Sequence, residues 1–201
     1  MRRPWDWDLA LGTWVLEKIE TRFDSRAFRR AVGQFVTGVT VIAIELDGEI
    51  RAMTANSFTS LSLEPPLVLF CLGKQTKAAR LIQTACAFSV NILTEEQQPL
   101  STYFAGAWKD EAPPPFSFTA WHQGAPRLDG STVSLSCVTQ AVHEGGDHWI
   151  VVGEVIAIHR TEAHKVPLVF YGGGYVSLKE KGNENMFASV TQQRSDYSDG
   201  G

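Results

Sequence analysis

Between Asp24 and Gly38 the apolar residues recur at helical spacing. Phe28, Val32 and Phe35 share one face, Asp24 or Ser25 is placed to cap the first turn, and Gly38 offers a stop. The period then changes. Thr40 to Leu46 is rich in β-branched residues, Asp47-Gly48 follows, and Glu49 to Thr54 resumes as a strand. Asp-Gly between two such runs predicts a tight hairpin, because both central positions of a type I′ turn need positive φ. Pro66 to Leu72 predicts a fully apolar strand, Lys77 to Thr84 a short helix behind a Thr76 cap, and Ala87 to Leu93 another strand. Thr94-Glu95-Glu96-Gln97 has the form of a capping box, opening a helix that carries Leu100, Tyr103 and Phe104. Residues 107 to 115, with three consecutive prolines and several charges, read as a loop. Two long strands, 132–143 and 148–159, flank a turn at Glu144-Gly145-Gly146-Asp147, and residues 167–171 form the last strand.

About seven strands therefore follow one another at close spacing, with short helices and no βαβ alternation. That predicts a mainly β protein, an antiparallel barrel with helical covers, rather than a doubly wound sheet. The organisation expected is an N-terminal extension over residues 1–22, one domain over 23–178 and a disordered tail over 179–201. In the extension, Trp7, Leu11, Trp14 and Val15 fall near helical spacing and predict a short amphipathic helix. The tail is polar and closes on Asp199-Gly200-Gly201.

Composition narrows the function classes. The 201 residues are 44% hydrophobic and 20% charged, as in an ordinary globular domain. A net charge of −4, with no Lys/Arg run, gives no field to gather nucleic acid. The longest apolar runs are too short to span a bilayer, and Trp5-Asp6-Trp7-Asp8 breaks any signal-peptide core, so a cytoplasmic protein is expected. Cys71, Cys86 and Cys137 each sit in an apolar run and are expected to be buried, reduced thiols. The five histidines are scattered without carboxylate or Cys at ligand spacing, so no metal site is predicted.

Four segments can carry chemistry. Met53-Thr54-Ala55-Asn56-Ser57-Phe58-Thr59-Ser60-Leu61-Ser62 combines five hydroxyls, an amide and small side chains, which suits a ligand bearing carbonyls and hydroxyls; it also suits a polar loop bonded to itself. Gly73-Lys74-Gln75-Thr76-Lys77, at a strand-to-helix junction, is either an anion cradle or a solvated turn. In Glu144-Gly145-Gly146-Asp147-His148-Trp149 a carboxylate adjoins an imidazole it can orient, an arrangement that also occurs in structural ion pairs. Tyr171-Gly172-Gly173-Gly174-Tyr175 implies positive φ or a close backbone approach to a ligand or a partner subunit.

Each segment alone is weak, but their order is specific. Gly33-Gln34-Phe35-Val36-Thr37-Gly38-Val39-Thr40-Val41, then Met53 through Leu67, Phe88-Ser89-Val90-Asn91-Ile92-Leu93, Gly146-Asp147-His148-Trp149-Ile150 with Gly153-Glu154-Val155, and Pro167 through Tyr175 together resemble the flavin reductase-like family over residues 23–178. The resemblance implies an antiparallel split β-barrel, the FMN-binding split barrel, acting as a homodimer. It implies NADH or NADPH as reductant, FMN or FAD as acceptor, and a separate oxygenase component that receives the reduced flavin. It places Met53, Thr54, Ala55, Asn56, Ser57, Phe58, Thr59 and Ser60 along the flavin, and Lys74, Thr76 and Lys77 by its phosphate. Gly146, Asp147 and His148 fall by the flavin and nicotinamide, with His148 the catalytic candidate, and Asn91 and Tyr175 near the same pocket. With Lys74 and Lys77 as the only charged anchors and no nearby arginine cluster, the flavin is expected to exchange rather than stay clamped. The competing reading is a flavin-binding sensor or carrier on the same fold, without reductase turnover.

Overall fold

The structure is a computed structural model that describes residues 24–82 and 85–178. The predicted N-terminal helix, the extension 1–22 and the tail 179–201 lie outside the described residues. In chain order the elements are α1 (Ser25–Val32), β1 (Thr37–Gly38), β2 (Thr40–Leu46), β3 (Glu49–Ala55), β4 (Thr59–Leu63), β5 (Pro66–Gly73), α2 (Lys77–Ile82), β6 (Ala87–Ile92), α3 (Gln98–Phe104), β7 (Phe118–Ala120), β8 (Pro126–Leu128), β9 (Val133–Gly145), β10 (His148–Arg160), β11 (Val169–Tyr171) and β12 (Gly174–Val176).

Seven strands form one sheet in the order β3-β2-β6-β9-β10-β5-β4, with every pairing antiparallel. Its two edge strands, β3 and β4, are consecutive in the chain and joined by Asn56, Ser57 and Phe58 alone. The sheet thus rolls round so that its edges meet at a seam. Inside the roll, Ile42, Ile44, Phe70, Leu72, Phe88, Val90 and Val151 form the main core, and α2 adds Ala78, Ala79 and Ile82. A second apolar layer lies on the outer face of β2 and β6. There Val39, Val41, Leu93, Leu100, Leu128 and Leu168 pack beneath α3, the β7–β8 ribbon and the small sheet β1-β11-β12. The run Thr40–Ile44 is buried throughout because β2 lies between these two layers. That is why it is continuously apolar where a half-exposed strand would alternate.

The predicted hairpin at Asp47-Gly48 is present, with φ of 53° and 78° at its two central residues. Asp24 caps α1 by accepting from the Arg26 N–H at 3.1 Å. The helix stops at Val32 with Gly33 as its cap, not at Gly38, which lies in β1 against Val169. The break occurs there because the Gly33 carbonyl is taken by the N–H of Gly172 at 2.8 Å, tying the helix end to the β11–β12 turn. Gly172 and Gly173 have φ of 61° and 88°, so the glycine run serves this turn and this close approach. Ahead of α3, the Gln97 side chain accepts from the Thr94 N–H at 3.2 Å, as a capping box requires. Two further corrections concern the hydroxyl-rich stretch and the thiols. Residues 53–62 are not one polar loop but the end of β3, a three-residue link and most of β4. Cys137 is buried, and burial pushes its thiol up to about 12; Cys71 is half-buried, whereas Cys86 is exposed.

Candidate functional site

The seam between β3 and β4 sorts the hydroxyl-rich stretch by strand alternation. Met53 and Ala55 point into the main core, and Phe58 packs against it. Their side chains are therefore committed to the fold. Thr54 lies on the opposite face, across from Val41 of the outer layer. Its hydroxyl donates to the Ser101 carbonyl of α3 at 2.6 Å. Ser57 stands where the β4–β5 ladder would continue, since Thr59 pairs with Leu69 and the next position on the same register is Ser57 opposite Cys71. The ladder is completed there by a side chain. The Ser57 hydroxyl accepts from the Cys71 N–H at 2.9 Å and donates to the Cys71 carbonyl at 3.2 Å. Because the hydroxyl does this work, the main chain of Asn56 to Phe58 is released from the ladder. Asn56, Thr59 and Ser60 are exposed.

Cross-strand partners in an antiparallel sheet share a face. His148 pairs with Gly145 on β9 and Gly73 on β5; the next outward row is His143, Ile150 and Cys71, and the next contains Ala141, Val152, Leu69 and Thr59. His148 and Thr59 thus look out from the same surface, on one side of the seam. His148 is the only side chain in its row. A Cβ on Gly73 would sit 3.8 Å from its Nε2 and 3.5 Å from the Thr76 methyl, at ordinary contact distance, so glycine keeps the space beside the imidazole free of a side chain. The β9–β10 turn puts Gly146 at φ 69°, with Asp147 next, as a type II′ turn needs. Asp147 Oδ1 lies 2.8 Å from His148 Nδ1, and Nε2 stands beside Gly73. The hydrogen bond from His148, then its charge, hold the Asp147 carboxyl below its ordinary pKa, with Arg29 of α1 adding to the effect.

Lys74 follows β5 and is anchored. Its Nζ lies 3.2 Å from Glu144 and 4.6 Å from the centre of the Trp149 ring. Its N–H donates to the Asp147 carbonyl at 3.0 Å, binding the two turns together. Thr76 caps α2: its hydroxyl donates to the Gly73 carbonyl at 2.8 Å and accepts from the Ala79 N–H at 3.2 Å. Lys77 opens α2, and its side chain lies outside the described residues. On the far side of the seam, the Tyr175 hydroxyl is 2.8 Å from Ser101 Oγ.

Thr54 and Tyr175 therefore meet at Ser101 of α3, Ser57 closes on Cys71 with Asn56, Thr59 and Ser60 exposed beside it, and Lys74, Thr76, Gly146, Asp147 and His148 gather at the β9–β10 turn and the β5–α2 junction. Asn91 does not join them. It is fully buried between β2, β6 and β8, where its amide donates to the Val41 carbonyl and Ser89 Oγ and its oxygen accepts from the Leu128 N–H. With these bonds made, the side chain is part of the scaffold. Sequence reasoning missed Ser101 and Arg29, and quoted Glu144 and Trp149 only as neighbours of His148, without their contacts to Lys74. The first two come from helices remote in sequence and carry no local motif. Arg29 is a single charge acting on Asp147 from α1 and does not make an arginine cluster.

The donor set fits a flat, polar-edged ring with a hydroxylated chain: a Cβ-free space beside an imidazole, a main-chain segment freed from its ladder, and hydroxyls on both sides. Among the described residues no three His, Cys, Asp or Glu side chains come together to hold a metal. A rolled antiparallel sheet carrying these polar groups is the class of structure these features define. Residues 32–179 match the family described as flavin reductase like domain, and the chain belongs to that family. The reductase subunit HsaB of a flavin-dependent monooxygenase from Rhodococcus jostii is 39% identical over 159 residues, covering 78% of this chain and 79% of the relative. The solved flavin reductase PheA2 is 40% identical with a TM-score of 0.73, covering 79% of this chain and all of that one. The NADH:FAD oxidoreductase SgcE6 of Streptomyces globisporus, solved with NAD and FAD fragments, is 35% identical with a TM-score of 0.71, covering 79% of this chain and 96% of that one. The fold is thus the antiparallel split barrel of these reductases.

Proposed function

We propose that this protein is an NAD(P)H-dependent flavin reductase that reduces FMN or FAD and releases it to a separate monooxygenase component. The observation that carries this reading is the imidazole of His148, oriented by Asp147 and standing alone in a row flanked by two glycines. The bound flavin and nicotinamide supply the redox chemistry, a hydride passing between them. The chain's own task is to bind, orient and exclude water.

Backbone groups of Asn56 to Phe58, with the Thr54, Thr59 and Ser60 hydroxyls, hold the ring edge and its polyol chain. Lys74 and Thr76, at the end of β5, lie on the phosphate side together with Lys77. Lys74 reaches there already braced by Glu144 and Trp149, so little side-chain entropy is lost on binding. His148 Nε2 stands beside Gly73, and Asp147 fixes the ring orientation from Nδ1. From that position the imidazole holds the nicotinamide carboxamide or steadies negative charge developing beside it.

The working unit is residues 23–178 as a homodimer in the cytoplasm. Three features support the dimer. Helix α1 buries none of its residues; Phe28, Val32 and Phe35 are 59%, 52% and 78% exposed; and Ile156 and Ile158 of β10 are uncovered. An apolar helix face and an apolar sheet patch of this kind call for a second copy. No described helix is long and apolar enough to cross a membrane.

The test is to mix the purified protein with FMN, then FAD, and follow NADH and NADPH oxidation by loss of nicotinamide absorbance. Oxidation that rises with free flavin is expected, and the preferred pair identifies both cofactors. His148→Ala should lower kcat/KM for the nicotinamide by about ten- to hundredfold while leaving flavin affinity within about threefold. Flavin binding without oxidation of either nucleotide would favour the sensor or carrier.

A further inference from the structure

Ser101 sits in the middle of α3 and is fully buried under the outer apolar layer. Its carbonyl accepts the Thr54 hydroxyl, and its own hydroxyl meets that of Tyr175. One residue thus joins three elements: β3 at the start of the seam, α3, and β12 on the cap. On the other side of Thr54, the Ala55 carbonyl accepts the Thr40 hydroxyl at 2.7 Å. The strand end is therefore fixed from both flanks.

Stability alone gives little reason for this arrangement. A buried hydroxyl pair that satisfies itself contributes about as much as the apolar pair of the same shape, here Ala and Phe. What the hydroxyls add is direction. Thr54 has one hydroxyl proton, and the Ser101 carbonyl takes it. Toward a ligand, Thr54 then offers lone pairs only. It matches a donor, such as a ring imide N–H or a ribityl hydroxyl, and disfavours a carbonyl edge. The Ser101 hydroxyl likewise holds the Tyr175 hydroxyl and its ring in one orientation beside the seam.

We propose that Ser101 is a positioning residue for flavin: its hydroxyl sets the orientation of Tyr175, while its main-chain carbonyl, which side-chain variants leave in place, sets the hydrogen-bonding polarity of Thr54. This rests on the flavin reductase reading above. Ser101→Ala and Tyr175→Phe each remove the same bond, from opposite ends. Each should raise the flavin Kd and flavin KM about tenfold, shift the visible absorbance band of bound flavin, and leave kcat at saturating flavin within about twofold. The double variant should be no worse than either single one, because the two share one interaction. Thr54→Ser, which keeps the hydroxyl, should retain wild-type flavin affinity, whereas Thr54→Val should lose it.

Wild-type turnover with unchanged flavin Kd and spectrum in Ser101→Ala and Tyr175→Phe overturns the proposal while leaving the reductase reading intact. Absence of wild-type turnover instead removes the reading on which it rests. Failure of both variants to fold also overturns it, since the bond would then belong to the scaffold. Additive losses in the double variant would do the same.

Discussion

Three polar residues of the predicted site met different fates, and their partners explain why. Asn91 lies on a buried strand and spends its amide on Val41, Ser89 and Leu128. Ser57 spends its hydroxyl on the Cys71 main chain, and Thr54 on Ser101. The sequence shows that a stretch is rich in hydroxyls. It does not show which are free, because the partners lie 14, 47 and 50 positions away and are set by strand order. His148 was legible for the opposite reason: its orienting carboxylate is its chain neighbour. Asn91→Ala should leave the Leu128 N–H buried and unpaired. Urea unfolding should show a loss of about 2–4 kcal/mol, with flavin KM unchanged within about twofold in the folded fraction.

Elements were legible where their signal was long. The two 13-residue strands β9 and β10, the Asp47-Gly48 hairpin and the α3 capping segment all lie close to their expected bounds. Strands of two or three residues, β1, β7, β8 and β12, were invisible, since no periodicity fits in so short a span and tertiary pairing alone makes them extended. Strand β4 was hidden by its serines and threonine on an exposed edge. Gly153 on β10 has a packing reason. A Cβ there would fall 2.4 Å from the Phe88 ring, so Gly153→Ala should destabilise the fold by about 1–3 kcal/mol, seen as a lower denaturant midpoint. The β7–β8 ribbon is pinned by Asp129, which accepts from Ser117 at 2.8 Å and Thr119 at 2.9 Å, with Arg127 at 3.5 Å. Partial burial raises its pKa, but these bonds and the Arg127 charge outweigh it and hold the carboxyl below its ordinary value. A depressed carboxylate stabilises above its unfolded pKa, and the contribution fades as pH falls through the folded one. Asp129→Asn should therefore be less stable than wild type at neutral pH, with the gap closing toward strong acid. Thermal melts across that range measure it.

At the scale of the molecule, barrel class and antiparallel pairing followed from strand spacing and the absence of βαβ units. The second layer did not, because it is built from α3, β8 and β11, three short pieces distant in sequence. The uncovered α1 face makes the assembly testable. Val32→Glu places a charge in the exposed stripe, where it costs the isolated chain little. Sedimentation should show a shift from dimer to monomer, and an unchanged mass would exclude α1 from the interface.

The hydroxyl that stands in for a ladder at the seam has one more consequence. A main-chain ladder opens only by moving a strand, whereas this closure opens by a turn of about 120° around one serine side-chain bond. The Cys71 amide should therefore exchange with solvent deuterium faster than its neighbours Phe70 and Leu72, through local opening rather than through global unfolding. A bound ring resting on the freed main chain of Asn56 to Phe58 would slow that exchange, making the seam amide a built-in reporter of occupancy.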